Sequence, residues 1–212
     1  MNAKRWRKAG AAAALSILVA GPASAYQMFG GERESATLAT EYYNAALGEY
    51  LVTVSADETA ALDGGSAPGW TRTGKAAFYT VGTSMAAIVE LGGLQFASPV
   101  CRFFIPPASH FLSALPSECA TLAENSVGIV LETDAAFYAW LPDDEGRCPR
   151  LYTKVGGFDF APVYRLWNSH SGVAHRLTTS RTERDAMVAD GWTSEGYGED
   201  GVAMCVPSWN SN

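Results

Sequence analysis

One pattern occurs three times along this chain of 212 residues, and it constrains the fold more than any other feature. Each copy opens with bulky apolar residues, breaks at a turn rich in Asn, Gly, Pro or Ser, and continues into a second short strand. A fixed order of features at a regular spacing indicates internal repetition. The copies are EYYNAALGEYLVTVSADETAAL from Glu41, CRFFIPPASHFLSALPSECATL from Cys101 and YRLWNSHSGVAHRLTTSRTERDAM from Tyr164.

The second half of each copy predicts a short helix and a returning strand. A glutamate stands three residues after the expected N-cap, which is the spacing of a capping box. The N-cap is Ser55 in the first copy and Ser180 in the third, whereas the second has Leu115, and we expect Ser117 to substitute there. The capping glutamates are Glu58, Glu118 and Glu183. The returning strands begin at Trp70, Ile129 and Trp192.

These units are too small to be stable alone. A unit of about forty residues buries little apolar surface, so we expect the three copies to share one core. The predicted fold is a β-rich α+β domain of three pseudo-symmetric strand-strand-helix-strand repeats. The repeats span about 41–81, 100–142 and 163–207 within a single domain, 41–212, that follows an N-terminal segment, 26–40. A β-trefoil-like closed barrel is the alternative, which the recurring helix disfavours.

The first 25 residues have the order of a secretory signal peptide. Four basic residues among the first eight precede an apolar run at 11–20, and the small-residue triplet Ala23-Ser24-Ala25 follows. The run is shorter than the roughly 20 residues that span a bilayer. We therefore predict export, with cleavage after Ala25 and no membrane span.

The expected mature chain is acidic. Removal of residues 1–25 leaves 11 basic against 22 acidic residues, a net charge near −11. Nucleic acid and anionic membranes repel such a chain, so both are excluded as partners. A hydrophobic content of 48% with only 17% charged residues excludes global disorder.

Four cysteines lie in the expected mature chain, where an oxidising compartment makes disulfides the default. Three connectivities are open. We expect Cys101 to pair with Cys119, tying the first strand of the second copy to its helix, and Cys148 to pair with Cys205, tying a connector to the last strand. No CxxC or HxxxH spacing is present, so no zinc site is predicted.

Short motifs of the third copy resemble a known family. They are VYRLWN at 163–168, HRLTT from His175, the helix glutamate Glu183 and WTSEG from Trp192. The second copy shares CRFF, HFLS, Glu118 and AFY up to Tyr138. This order is similar to the unit of a repeat family of secreted proteins, domain of unknown function 5648. The resemblance implies no activity; the family's association with exported enzymes and surface proteins implies an extracellular accessory role.

His110 and His175 are candidate binding residues at one repeat position, where the first copy has Glu49. One extra residue separates Glu49 from Glu58 in that copy. Imidazole and carboxylate groups that converge near a symmetry axis can bind a metal or a polar ligand. The favoured alternative is that each histidine satisfies buried backbone groups while each glutamate caps its helix. We predict no bound metal and no cofactor.

Arg102 and Arg165 share another repeat position, where the first copy has Glu41. They are candidates for binding an anionic ligand. A charge-assisted pair with the glutamate at the start of the same unit's helix is the favoured alternative. Glu41 then indicates that the pair is dispensable in the first copy. Asn168, which ends the VYRLWN motif, is a further candidate binding residue.

Tyr43, Phe104 and Trp167 are matched aromatic positions about sixty residues apart. Alternation along a strand turns one residue of each adjacent pair inward. We expect these three to lie in the shared core. The alternative is an exposed platform that stacks against sugar rings or peptides.

Export, repetition and recurring aromatics predict a secreted, non-enzymatic binding or adhesion module for a carbohydrate or cell-surface polymer. An extracellular hydrolase that uses His110 or His175 with a neighbouring carboxylate is one alternative. Ser55, Ser113 and Ser180 stand near histidines, but no GxSxG motif is present and no third residue that would orient a base is identified. A structural or protein-interaction domain is the other. We expect a monomer whose extracellular ligand is a glycan or a protein.

Overall fold

The computed structural model describes residues 37–83, 97–125, 127–153, 156–168, 170 and 173–208. The predicted signal peptide, 1–25, lies outside the described residues, as does most of the N-terminal segment 26–40.

The first segment, residues 37–80, is a three-stranded antiparallel sheet with one helix. Strand β1 (Thr37–Asn44) turns into β2 (Glu49–Thr53), helix α1 (Ala56–Asp63) follows, and β3 (Trp70–Thr80) returns along the other edge of β1. The Ser55 hydroxyl accepts the Glu58 N–H at 3.2 Å, which is the N-cap that the sequence predicts.

The second segment, residues 101–133, repeats this order. Its first strand again lies between the other two. The helix begins at Pro116, a residue suited to the first helical position, so Ser117 lies inside the first turn. The expectation that Ser117 is the N-cap is therefore wrong. Its elements are β5 (Cys101–Ile105), β6 (Ser109–Ser113), α2 (Pro116–Asn125) and β7 (Val130–Thr133). Strand β4 (Ala97–Pro99) precedes the segment and β8 (Tyr138–Trp140) follows it.

The third segment, residues 160–195, has the same order within a larger sheet. Strand β11 (Phe160–Asn168) pairs with β12 (Ala174–Thr178) on one edge. On its other edge it pairs with β13 (Thr193–Glu195) and β14 (Val202–Pro207), and the sheet continues from β14 through β8 to β4. Ser180 caps the helix by accepting the Glu183 N–H at 3.2 Å. The helix of this segment is α3 (Arg181–Ala189). Two short strands, β9 (Leu151–Thr153) and β10 (Gly156–Phe158), precede the segment, and β14 follows it.

The described residues form a β-rich fold with three helices and several antiparallel sheets. This confirms the predicted mixture of a helix with strands in each segment. None of the sheets formed by the described residues closes into a barrel, so the β-trefoil-like alternative is wrong.

The largest buried apolar cluster contains residues from all three segments. Val52 on β2, Leu112 on β6 and Leu177 on β12 belong to it, and each of these strands contacts the other two. Phe78 and Phe137 pack edge to face in the same cluster, with ring centroids 5.6 Å apart. The second strands of the three hairpins therefore meet at one shared interior.

Two disulfides join Cys101 to Cys119 and Cys148 to Cys205, as the sequence analysis expects. Such bonds persist in an oxidising environment. In the part of the chain that the structure describes, no helix is both long enough and apolar enough to cross a membrane.

Candidate functional site

Strand pairing decides which residues of the three hairpins correspond. Tyr43 pairs with Tyr50, Phe104 with His110, and Trp167 with His175. Tyr50, not Glu49, therefore occupies the histidine position in the first segment. The predicted equivalence of Glu49 is wrong by one residue, because the three turns differ in length. Tyr50, His110 and His175 each stand eight residues before the helix glutamate.

Glu49 is buried at the end of β2. It is 4% exposed, and its Oε2 has no hydrogen-bond partner. Burial raises the pKa of Glu49, and a hydrogen bond with Ser109 and the nearby His110 oppose the shift.

The described residues contain no candidate metal site. Among residues 37–83, 97–125 and the later described ranges, no three His, Cys, Asp or Glu side chains are placed to hold a metal ion.

The two histidines lie against carboxylates of their own segments. His110 Nε2 is 3.7 Å from Glu132 Oε2, and His175 Nε2 is 3.6 Å from Glu195 Oε2. The buried Nδ1 of His110 has no hydrogen-bond partner, contrary to the expectation that each histidine satisfies backbone groups, whereas His175 interacts with the Val173 backbone. Burial, and then the charge of Arg165, lower the pKa of His175 to about 4, which the Val173 backbone and Glu118 only partly oppose. His175 is therefore neutral at pH 7.

The arginines connect neighbouring segments. Arg102 on β5 donates two hydrogen bonds to Glu58 on α1, at 2.7 and 3.1 Å, and its Nε lies 2.8 Å from Glu132. Because Glu58 belongs to the preceding segment, the predicted pair within one unit is wrong. We call this contact joint 1/2.

Joint 2/3 has the same arrangement. Arg165 on β11 donates two hydrogen bonds of 2.9 Å to Glu118 on α2 and one of 2.9 Å to Glu195. Its guanidinium also lies over the Phe111 ring, 4.3 Å from the centroid. Arg165 is 6% exposed, so its charge is compensated inside the protein rather than by water.

Joint 3/1 contains the same side-chain types with their places exchanged. Glu41, 2% exposed, stands where the other segments have arginine and accepts two hydrogen bonds from Arg176 on β12, at 2.9 and 3.1 Å. Arg176 also lies 3.5 Å from Glu183 and 4.6 Å from the Tyr50 ring centroid. The expectation that the first copy dispenses with this pair is wrong, since its arginine comes from another segment.

The helix glutamates are fixed by hydroxyl groups that sequence analysis missed. Ser113 accepts the Leu115 N–H and donates to Glu118, and Thr178 accepts the Ser180 N–H and donates to Glu183. A hydroxyl residue five positions before the glutamate in all three copies is the signal that could have found them. Burial raises the pKa of Glu118, but hydrogen bonds from Arg165 and Ser113 outweigh it, so the pKa is lowered.

The first segment has the same device. Thr53 accepts the Ser55 N–H at 3.0 Å and is hydrogen-bonded to Glu58. Burial raises the pKa of Glu58, yet hydrogen bonds from Arg102 and Thr53 make the overall shift a lowering. The helix glutamates therefore serve the joints, and the Ser55 and Ser180 side chains cap the helices.

Tyr43, Phe104 and Trp167 lie half-buried, outside the core. The buried residues are their neighbours, with exposures of 1%, 1% and 0%, so the expected core position is wrong. Tyr43 contacts Tyr50 at 4.6 Å between ring centroids, and Tyr50 reaches Trp192 across joint 3/1 at 6.3 Å. The buried neighbours are Tyr42, Phe103 and Leu166.

Strand β7 carries exposed apolar side chains. Val130 and Leu131 are 55% and 45% exposed, and among the strands that the structure describes β7 pairs only with β5. The corresponding positions of β3 are Thr71 and Arg72. The second segment therefore has an apolar sheet edge where the first has a polar one.

A cavity of about 200 Å³ opens at joint 1/2, lined by Thr53, Arg102 and Thr133 among others. Its polar groups already have partners, since Arg102 is bound to Glu58 and Glu132 and the two threonine hydroxyls hold backbone N–H groups. Asn168 is also engaged, accepting the His170 N–H at 3.0 Å. Neither feature offers free polar groups to a ligand.

The serines of the hydrolase alternative are engaged as well. Ser55 and Ser180 accept helix N–H groups, and Ser113 binds Glu118. Within the described ranges, no hydrogen bond joins a serine hydroxyl to a histidine. The hydrolase alternative therefore gains no support from the arrangement of these side chains.

Residues 139–202 match the model of a family described as domain of unknown function (DUF5648). The match contains β11, β12, α3 and β13, and it confirms the resemblance predicted from the motifs of the third copy. No curated protein and no solved structure matches the chain.

Proposed function

We propose that this chain, with its DUF5648 match over residues 139–202, is an exported, non-enzymatic binding module for a carbohydrate or cell-surface polymer. The signal-peptide order of the first 25 residues and the two disulfides support export. The scaffold is three copies of one unit. This part of the proposal is supported by the common element order and strand register of the three segments, by their shared buried cluster and by their corresponding joints.

The observation that carries the proposal is the partly exposed position of the matched aromatic residues, outside the core. Rigid aromatic faces stack well on the apolar faces of sugar rings and lose little conformational entropy on binding. At joint 3/1, Tyr43, Tyr50 and Trp192 form a continuous aromatic group, and the Arg176 guanidinium, which is bound to Glu41, lies over the Tyr50 ring. Aromatic surface beside a few polar groups is typical of a saccharide site.

Binding to soluble glycans and isolated cell-wall polymers tests the proposal directly. Tyr43→Ser and Trp167→Ser should each weaken binding about tenfold, because each removes a stacking face. Tyr79→Ser is the matched control, since Tyr79 is 39% exposed on β3 away from the hairpin ends, and it should bind as the unaltered protein does. No binding at millimolar ligand, or equal binding by all variants, would contradict the proposal.

Recognition of another protein is a second candidate function, favoured by the apolar edge of β7. An unpaired edge strand can add an extended segment of a partner, with backbone hydrogen bonds and pockets for alternate side chains. The proposed partner segment is an apolar β-strand. An extended peptide with alternating valine and threonine should perturb the amide signals of residues 130–133, whereas V130T/L131R, which copies Thr71 and Arg72, should abolish that response. Shifts spread evenly over the protein would argue against this site.

A further inference from the structure

We propose that the exchanged arginine and glutamate of joint 3/1 fix the order in which the three segments pack around their common interior. This inference rests on the proposed three-unit scaffold and does not depend on any ligand. It concerns how a chain with three similar docking surfaces avoids docking them in the wrong combination.

Each segment meets its neighbours through two faces. The leading face combines a residue of the first strand with one of the third strand. The trailing face combines the helix glutamate with a residue of the second strand. The leading faces are Glu41 with Thr73, Arg102 with Glu132, and Arg165 with Glu195. By strand register the corresponding trailing positions are Glu58 with Leu51, Glu118 with Phe111, and Glu183 with Arg176; contacts with the neighbouring segment are seen for Phe111 and Arg176.

Every joint contains one arginine and two glutamates. At joints 1/2 and 2/3 the arginine belongs to the leading face, and the trailing face presents a glutamate and an apolar side chain. At joint 3/1 the arginine belongs to the trailing face, where Arg176 binds both Glu41 and Glu183. The three joints contain the same charged residues, but the leading face of the first segment complements only the trailing face of the third.

Packing in the opposite order would place these charges wrongly. Glu41 would meet Glu118 beside Phe111, leaving two carboxylates without an arginine. Arg102 would meet Arg176 where the other joints hold a single guanidinium. Uncompensated buried charges are strongly unfavourable, and buried ionic groups can select one arrangement among several. Joint 3/1, in which the arginine lies on the trailing face, therefore makes the native order of the segments more favourable than the reverse order.

Two triple variants test this inference in the full mature chain. The first, Glu41→Arg with Thr73→Glu and Arg176→Phe, gives joint 3/1 the arrangement of joint 2/3, so that all three joints become alike. It should refold from urea into two species, seen as a second set of tryptophan indole signals in an ¹H–¹⁵N NMR spectrum. The unaltered protein should give one set.

The second variant is the matched control. Arg165→Glu with Glu195→Thr and Phe111→Arg inverts joint 2/3 and leaves one joint unlike the other two, so it should refold to a single species. A single set from the first variant, or two sets from the second, would overturn the proposal. Failure of either variant to fold would overturn it as well, because each variant copies a joint that the protein already contains.

Discussion

Burial controls the charge of individual residues around the hairpins. Glu49 and His175 are both nearly enclosed, but neither has the pair of strong charged hydrogen bonds that Glu118 receives from Arg165. Burial then favours the neutral form of each group, raising the pKa of the acid and lowering that of the base. Their protonation therefore links stability to pH in opposite directions.

Glu49→Gln should stabilise the protein at pH 7. The folded-state pKa of Glu49 is raised by burial, so ionisation above that pKa costs folding free energy that the neutral amide does not cost. The gain should disappear as the pH falls through the raised folded-state pKa to below about 4.5, where both states are protonated. Urea unfolding at several pH values measures it. Glu118→Gln is the control and should lower the free energy of unfolding at pH 7, because it removes the charged hydrogen bonds with Arg165. A Glu49→Gln variant that is less stable than the unaltered protein at pH 7 would contradict the raised pKa of Glu49.

His175→Tyr, which copies Tyr50, should flatten the acid side of the stability profile. The pKa of His175 is about 4 in the folded state and about 6.5 when unfolded. Its contribution is therefore complete above pH 6.5 and is lost as pH falls towards 4, amounting to about 3 kcal/mol. The exposed His170 provides the control, because His170→Tyr should leave the profile unchanged. Equal acid sensitivity of all three proteins would exclude this role.

At the scale of elements, a buried hydroxyl connects each second strand to its helix. Thr178→Val should lower the free energy of unfolding by about 2 kcal/mol, because it removes hydrogen bonds to the Ser180 N–H and to Glu183. Thr182→Val on the exposed face of α3 is the matched control and should change stability by less than about 0.5 kcal/mol. Equal effects of the two substitutions in chemical denaturation would contradict this role of Thr178.

Sequence reasoning identifies the elements well because their signals are local. Capping spacings, turn residues and apolar alternation place α1, α3 and the hairpins, and the predicted cysteine pairs are confirmed. The Glu49 alignment fails because hairpin turns of unequal length shift the count by one residue, which strand pairing alone corrects. Arg102 and Arg165 are recognised as candidates, but their predicted partners are wrong. Residues that pair between segments have no characteristic short spacing in the sequence. Arg176 is missed because its partner, Glu41, lies 135 residues away.

At the scale of the whole molecule, the two disulfides should contribute unequally. The Cys148–Cys205 bond closes a separation of 57 residues and the Cys101–Cys119 bond one of 18. Loop-closure entropy predicts that removing the first costs about 1 kcal/mol more than removing the second. Urea unfolding of the two double Cys→Ser variants measures the difference, and a larger cost for the shorter loop would contradict the entropic explanation.

The central claim is that Arg102 and Arg165 hold the units together by pairing with the helix glutamate of the preceding segment, not with the helix glutamate of their own segment. A double-mutant cycle on Arg165→Met and Glu118→Gln, compared with one on Arg165→Met and Glu183→Gln, tests it most directly. We predict a coupling free energy on the order of 2 kcal/mol between Arg165 and Glu118, and less than about 0.5 kcal/mol between Arg165 and Glu183 of its own segment. Strong coupling within the segment, with none across joint 2/3, would contradict the claim.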